Sequence, residues 1–305
     1  MIKIRKLRQE YRILPKGYYH LCSDGWKEGR LFTCDRQYAA GVTAIALMTL
    51  KFNIEIYGYV LMPNHIHILL SGTGNDCVNA FELFLRKCTW WLKNDNCLPL
   101  PYGYGFRLIP VDSPESFRSH YLYLSRNPYE KGVCIPGAYD WGSDYVLFSQ
   151  VSKRIRGIRA GDMSLNAIRR ITGCRQRLPD DWKIHPELGI LPSSFVQLDK
   201  IRELFPSPKA YTSRLVKDYE SLLHISRDLE ETLTLSSEEV KDIIFSQIRR
   251  LFPGKTLREL TIGEKYRLAS LLNGKYRLTA EQLSRPLYLS EHTIIQALNA
   301  KESWD

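Results

Sequence analysis

Two hydrophobic periodicities alternate along the first half of the chain. Runs rich in β-branched and aromatic residues predict four strands, at residues 17–22, 54–61, 65–70 and 105–111. Apolar residues at helical spacing predict three helices, at residues 35–52, 76–93 and 113–127, the last of them ended by Pro128. Met62-Pro63-Asn64 is a turn signal that predicts a hairpin between the second and third strands. The order β-α-β-β-α-β-α predicts an α+β fold, a ferredoxin-like antiparallel sheet covered by helices on one face.

The second half of the chain has a different organisation. Residues 151–178 contain eight Lys or Arg against one acidic residue. We expect a basic linker over residues 151–195, between a mixed domain at 1–150 and a mostly α-helical region at 196–305. The pattern of residues 279–298 is typical of a bacterial helix-turn-helix. Pro286, and Tyr288 where a turn glycine is usual, favour the alternative of an ordinary helical hairpin.

Composition narrows the class of protein. The chain has 305 residues, 44% hydrophobic and 25% charged, which excludes a collagenous, coiled-coil or wholly disordered protein. Its formal net charge of +10 favours a polyanionic partner such as nucleic acid or an anionic membrane. Seven scattered cysteines without a C-x-x-C pair argue against a disulfide framework or a four-cysteine zinc site, and favour a reducing cytoplasm. No apolar stretch approaches the ~18 residues of a membrane span, so no spanning segment is expected.

His65 and His67 are the first candidates for metal chemistry. They are two residues apart on a predicted strand, so their side chains point to the same face with Cβ atoms roughly 6–7 Å apart. Two imidazoles at this spacing are able to share one metal ion, while Ile66 and Ile68 point to the core. The alternative is a pair of half-exposed strand histidines that bind no metal.

Two separate segments resemble one known family. Residues 58–70 (GYVLMPNHIHILL) resemble the signature of the single-tyrosine HUH transposases. The likeness is closest to the branch associated with repetitive extragenic palindromes (REP), in which Y-x-x-M-P-N-H-x-H-x-L-L is typical. Residues 123–128 (YLSRNP), followed by Gly132, look like the family's Y-I-x-x-N-P-x-x-x-G motif, and the resemblance extends over residues 16–148. The chain departs from the family at Ser23-Asp24-Gly25, where Arg-Gly is common.

The resemblance implies an HUH endonuclease core with the chemistry of a transposase. The family's catalytic tyrosine corresponds to Tyr123, and its third metal ligand, beside His65 and His67, corresponds to Asn127 on the same helix face. It also implies a Mg²⁺ or Mn²⁺ cofactor and cleavage of single-stranded hairpin or palindromic-repeat DNA through a 5′-phosphotyrosine. The implied protein is bacterial, cytoplasmic and nucleoid-associated, and acts as a monomer or homodimer. Tyr121 is the competing nucleophile, but it lies roughly 200° around the helix from Tyr123, so both cannot serve one site.

Basic residues of the second half are candidates for binding DNA phosphates. They are Lys153, Arg154, Arg156, Arg159, Arg169, Arg170, Arg175 and Arg177. A solvated basic linker is the alternative. Two other functions of the whole chain stay open: a non-catalytic DNA-binding regulator on the same fold, and a single-tyrosine replication initiator or relaxase. The latter enzymes commonly lack Met-Pro-Asn before the first histidine.

Overall fold

A computed structural model describes residues 8–130, 139–148, 155–205, 207–217, 219–229, 235–276 and 278–299. Contacts among residues divide the chain into two units. The first unit comprises Met1–Asp218 and Ile225–Glu231, and the second comprises Tyr219–His224 and Thr232–Asp305. Among the described helices, none is long and apolar enough to cross a lipid bilayer.

The first unit is built on a four-stranded sheet. Its strands are β1 Gly17–Ser23, β2 Glu55–Met62, β3 His65–Gly72 and β4 Phe106–Pro110. They lie in the order β2-β3-β1-β4, and each neighbouring pair is antiparallel. The second and third strands form the predicted hairpin across Pro63 and Asn64, with Met62 opposite His65. The sheet and its helices confirm the α+β class.

Helices cover both faces of this sheet. They are α1 Asp35–Lys51, α2 Gly74–Asn94 and α3 Pro114–Glu130. His20 of β1 points to α3, where its ring lies against that of His120. Phe106 of β4 projects from the opposite face and packs on Phe81 of α2. The sheet is therefore enclosed between two helical layers.

The expectation of helices on one face only is wrong, and the strands show why. Nearly every residue of β2 and β3 is buried, although alternate residues of a strand point to opposite faces. A sheet that carries apolar side chains on both faces must be covered on both. The first helix lies on the same face as α2, because a Cβ atom on its Gly41 would come 2.9 Å from Leu61, which faces away from His67.

The sequence pattern predicted that the third helix ends before Pro128. The helix instead continues through this residue to Glu130. Pro128 lacks an N–H group and removes one backbone hydrogen bond, to the carbonyl of Leu124. This loss is small because it falls near the helix end, where the last carbonyls have no partner within the helix. Asn127 lies in the same helix as Tyr123, as the predicted range of 113–127 also had it.

The predicted basic linker contains regular structure. After a short helix, α4 Tyr145–Phe148, three strands form a second antiparallel sheet: β5 Ile158–Arg159, β6 Lys183–His185 and β7 Gly189–Ile190. Between β5 and β6 lies α5, Leu165–Thr172, capped by the Ser164 side chain and ended by Gly173 at φ 66°.

The segment after this second sheet contacts the four-stranded sheet. The N–H of Gln197 donates to the carbonyl of Ile56 at 2.8 Å, so the segment packs on β2. Three helices follow: α6 Leu198–Leu204, α7 Pro208–Lys217 and α8 Tyr219–Asp228.

The second unit is helical. Its further helices are α9 Ser237–Leu251, α10 Ile262–Tyr276, α11 Ala280–Leu287 and α12 Glu291–Asn299. They share one core of buried side chains that includes Ile243, Leu272, Leu283 and Ile294. The last two helices occupy the predicted helix-turn-helix, and Tyr288 in their turn has φ 55°, the left-handed conformation that favours glycine. DNA binding by this helix pair stays a prediction.

Candidate active site

Four buried histidines meet inside the first unit. His20 lies on β1, His65 and His67 lie on β3, and His120 lies on α3. The Nδ1 atom of His20 is 2.8 Å from Nδ1 of His120, and its Nε2 atom is 3.0 Å from Nδ1 of His67. The ring centroids of His65 and His67 are 4.9 Å apart. A chain of imidazoles therefore connects the sheet to the helix that packs on it.

Strand register and helix repeat explain this meeting. Cys22 of β1 is opposite His67, so His20, two residues earlier, projects from the same face as both β3 histidines. On α3, His120, Tyr123 and Asn127 are three and four residues apart, a spacing that places them on one helix face. The register of the sheet and the packing of α3 bring the two faces together.

Tyr123 lies beside the histidines. Its ring centroid is 5.7 Å from that of His67 and 6.1 Å from that of His20, and only 3% of the residue is exposed. The Asn127 Nδ2 group donates to the carbonyl of Tyr123 at 3.1 Å, and the same side chain lies close enough to His67 to influence the pKa of its imidazole. The predicted nucleophile and the three predicted metal ligands are thus grouped at one place.

Burial keeps His67 uncharged. Loss of hydration lowers the pKa of His67 well below its ordinary value, and the nearby His65 lowers it further. The nearby Asn127 side chain acts in the opposite direction but does not reverse the shift. His67 is therefore a neutral imidazole near neutral pH, and neutral imidazole is the form that binds metal ions.

The donor set of this site fits a divalent ion. The described residues contain no group of three His, Cys, Asp or Glu side chains that could hold a metal ion, so a metal here depends on His65, His67 and the amide of Asn127. Both ring nitrogens of His20 are occupied by hydrogen bonds. If His67 donates its Nδ1–H to His20, its Nε2 lone pair is left for a metal, as in many metal-binding histidines. The Asn127 amide nitrogen is bonded to the backbone, which leaves its oxygen as the ligand atom.

Tyr121, the competing tyrosine, lies elsewhere on α3. It is fully buried over β2, so close to Gly58 that a Cβ atom there would come 2.7 Å from its ring, and it also packs on Phe205. Burial and the carboxylate of Asp144 raise the pKa of Tyr121 well above its ordinary value. A hydroxyl that resists ionisation and lies over another strand is poorly suited to attack a phosphate at the histidines.

Several of the predicted phosphate-binding residues are scattered. Arg156 borders a small cavity of the first unit, and Arg159 is exposed on β5. Arg177 forms an exposed ion pair with Asp180, with 3.1 Å between nitrogen and oxygen. Lys153 and Arg154 lie outside the described residues. Phosphate binding by these side chains stays a prediction.

The other three predicted residues share one location. Arg169 and Arg170 belong to the last turn of α5, and Arg175 follows that helix closely. All three line a cleft together with residues of α1 and α2. Because α1 and α2 cover the sheet face opposite to α3, this cleft and Tyr123 are on different sides of the sheet.

The sequence did not identify His20 and His120 as site residues. Each had a local signal, since His20 lies on a predicted strand and His120 precedes Tyr123 by three residues on a predicted helix. Local sequence patterns do not predict that the rings of His20 and His120 come into contact. That contact depends on how α3 crosses β1, which only the folded chain defines.

No protein-family model matches the chain, and no curated protein matches it. Among solved structures, the chain is similar to a REP-associated tyrosine transposase bound to a REP hairpin. The match covers 57% of this chain and 89% of that one, at 16% sequence identity and a TM-score of 0.38. At that TM-score the likeness decides neither the fold nor the function of this chain.

Proposed function

We propose that the protein is a single-tyrosine DNA strand transferase with an HUH endonuclease core. The observation that carries this proposal is the position of Tyr123 beside His67, with 5.7 Å between ring centroids, and the side chain of Asn127 close to the same histidine. The strand motif and the helix motif are distant in sequence, yet their key residues meet in one buried site. A chance resemblance of either motif would not require that meeting.

The order of the strands also supports an HUH core. The chain runs β-α-β-β-α-β, with β1 and β3 at the centre of the sheet and β2 and β4 at its edges. This succession is that of a ferredoxin-like unit. The helix with Tyr123 follows the last of these strands and covers the face that carries the histidines.

In the proposed reaction the hydroxyl oxygen of Tyr123 attacks the phosphorus of a DNA phosphodiester. A bond forms between Oη and phosphorus while the bond from phosphorus to the 3′ oxygen breaks. The phenol loses its proton, and the leaving 3′ oxygen takes up a proton to become a hydroxyl. The resulting 5′-phosphotyrosine keeps the phosphoester bond, so a later attack by a 3′-hydroxyl rejoins DNA without ATP.

Mg²⁺ or Mn²⁺ is the proposed cofactor, held by His65, His67 and Asn127. When bound, such an ion neutralises charge on a nonbridging phosphate oxygen and orients the phosphorus for in-line displacement. Imidazole ligands favour Mn²⁺, whereas Mg²⁺ prefers oxygen. The protein's own contribution is orientation: His20 holds the ring of His67, and the bond to the Tyr123 carbonyl holds the Asn127 amide.

The proposed substrate is single-stranded DNA next to a hairpin or palindromic repeat, met in the bacterial cytoplasm at the nucleoid by a monomer or homodimer. The test is incubation of the protein and its Tyr123→Phe variant with a library of single-stranded hairpin oligonucleotides and Mn²⁺. We expect a covalent protein–DNA band on a denaturing gel for the unmodified protein only. Hairpin binding without any adduct would instead support the non-catalytic regulator.

A further inference from the structure

A cleft of about 880 Å³ lies on the side of the first unit away from Tyr123. Three parts of the chain line it: α1, the second half of α2, and residues 169–176 at the end of α5. Its deeper lining is apolar and includes the buried side chains of Ala44, Leu47 and Leu83. We call it the rear cleft, because α1 and α2 separate it from the sheet and from the histidines beyond.

Seven Lys or Arg residues line the rear cleft together with these apolar side chains. The first helix contributes Arg36 and Lys51, the second contributes Arg86 and Lys87, and α5 contributes Arg170. Arg169 and Arg175 complete the set, and among the described residues that line the rear cleft none is acidic. Arg36 forms an ion pair with Asp95, so part of its charge is neutralised. The remaining surplus makes this a strongly positive concave surface, suited to an anionic ligand.

Trp90 gives the rear cleft a second, independent property. Its indole lines the cleft and is 63% exposed, whereas the neighbouring Trp91 is buried and donates its indole N–H to the Leu31 carbonyl at 2.9 Å. Exposure of so large an apolar ring has a cost in water that core packing does not offset. On α2, Trp90 lies one helical turn after Arg86 and Lys87, so the ring and two cations share one face.

We propose that the rear cleft binds single-stranded DNA, with its cations on the phosphates and an unpaired base stacked on Trp90. Positive grooves with exposed aromatic rings are the usual means of binding single strands without regard to sequence. The inference rests on the proposed function for the choice of DNA as ligand. It adds a second DNA site, on the sheet face opposite to the nucleophile, for a segment of strand that flanks the one being cleaved.

Other anionic ligands fit these observations less well. A duplex keeps its bases stacked inside, so it would contact the cations but leave Trp90 without a partner. A lipid bilayer is contacted by side chains that protrude from a surface, whereas Leu47 and Leu83 are buried within a concavity. An acidic peptide would neutralise the cations but supplies a planar ring only where it carries an aromatic side chain, whereas every nucleotide of a single strand carries a base. A single strand uses the charge, the concavity and the ring together.

Titration with single-stranded DNA tests the ring. The full chain carrying Tyr123→Phe, which removes the candidate nucleophile, is titrated into a labelled oligothymidylate of about 20 nucleotides, longer than a usual site. We expect Trp90→Ala to weaken binding about tenfold, because one base loses its stacking partner, and Trp90→Phe to weaken it about twofold. Tyr102→Ala is the matched control, because that ring is 84% exposed and lies outside the cleft lining; its affinity should equal that of the parent.

Salt dependence tests the cations. Joint replacement of Arg86 and Arg170 by Ala should reduce the slope of log affinity against log salt by about 0.7 for each lost phosphate contact. Joint replacement of Lys209 and Arg214 by Ala makes the same charge change on the exposed face of α7 and should leave the slope unchanged. The affinity for a blunt-ended DNA duplex should be the same for the parent and for Trp90→Ala.

Several outcomes would overturn the rear-cleft proposal. It is wrong if Trp90→Ala and the Arg86 and Arg170 pair bind the single strand like the parent, or if the duplex shows the same loss on Trp90→Ala. Binding to phosphatidylserine vesicles is measured with the same variants. The proposal is also wrong if Trp90→Ala abolishes vesicle binding and leaves the affinity for the single strand unchanged. Failure of the catalytic proposal looks different: the chain with Tyr123 intact forms no adduct, while the losses caused by Trp90→Ala persist.

Discussion

The Nε2 atom of His20 lies 3.0 Å from the Nδ1 atom of His67, so a residue of the first strand orients a proposed metal ligand on its neighbour. The other nitrogen of His20 is engaged by His120 of α3 at 2.8 Å. One buried imidazole is thereby held between the sheet and the tyrosine helix. Partners of this kind fix the tautomer and the ring orientation of a metal-binding histidine.

Replacement of His20 should therefore reduce metal affinity although His20 binds no metal itself. We expect His20→Phe to weaken Mn²⁺ binding by about 10–100-fold, the usual effect of losing an outer-shell partner, and His20→Gln to have a smaller effect because it keeps one polar contact. Calorimetric titration with Mn²⁺ measures both. His292→Phe, an exposed histidine of the second unit, is the control. Equal Mn²⁺ affinity in all variants would leave His20 with a packing role only.

Removal of a proposed ligand should abolish metal-dependent cleavage. His65→Ala and His67→Ala each take one imidazole from a set of three donors, so no DNA adduct should form even at saturating Mn²⁺. Far-ultraviolet circular dichroism should show a folded chain. The melting temperature should fall more for His67, which is completely buried and hydrogen-bonded, than for His65. Adduct formation by both variants at high metal concentration would contradict the metal role.

Tyr123, and not Tyr121, should carry the covalent DNA. The two residues are on one helix, but only the ring of Tyr123 lies against His20 and His67. Adducts should vanish in Tyr123→Phe and persist in Tyr121→Phe, with peptide mapping placing the nucleotide on Tyr123. A nucleotide mapped to Tyr121 would show that the register of the helix motif is misassigned and would remove the reason for taking Asn127 as a ligand.

Alkaline stability provides an independent readout of Tyr121. Burial, with the carboxylate of Asp144, raises the pKa of its hydroxyl above the unfolded value near 10, so above that pH the unfolded chain loses a proton that the folded chain keeps. The unfolding free energy should then fall by up to about 1.4 kcal/mol per pH unit from this residue alone. Tyr121→Phe should make the decline shallower above pH ~10, as followed by urea unfolding. If the unfolding free energy of Tyr121→Phe falls with pH as steeply as that of the unmodified chain, the Tyr121 hydroxyl has the same pKa in the folded and the unfolded chain.

The turn between the last two helices contains a residue in an unfavourable conformation. Tyr288 adopts φ 55°, which costs a residue with a side chain about 1 kcal/mol relative to glycine. Its ring lies 5.7 Å from the Lys265 ammonium, an exposed contact of about 0.5 kcal/mol at most. Tyr288→Gly should therefore stabilise the second unit by about 0.5 kcal/mol, whereas Tyr288→Ala loses the ring contact and keeps the strain. Equal melting temperatures for the Gly and Ala variants would refute this account.

Local pattern in the sequence was sufficient for the four strands of the main sheet and the three helices that cover it. The hairpin across Pro63 and Asn64, the strand with His65 and His67 on one face, and the helix with Tyr123 and Asn127 all follow from repeats of two or about 3.6 residues. These properties depend on neighbours in the chain, which the sequence states directly. Resemblance to a family then assigned roles to four of those side chains, and those roles stay predictions.

The tertiary structure determined the contacts between distant residues, which the periodic patterns of strands and helices do not predict. Helices on both faces of the sheet, the entry of His20 and His120 into the site, and the rear cleft around Trp90 arise between residues tens of positions apart. The position of Pro128 inside α3 is similar, because a single lost hydrogen bond is tolerated when packing holds the helix. Sequence alone determined which faces each strand and helix presents. Which faces meet was set by the burial of apolar surface over the whole chain. That burial depends on contacts between distant segments, so no single segment of the sequence determines it.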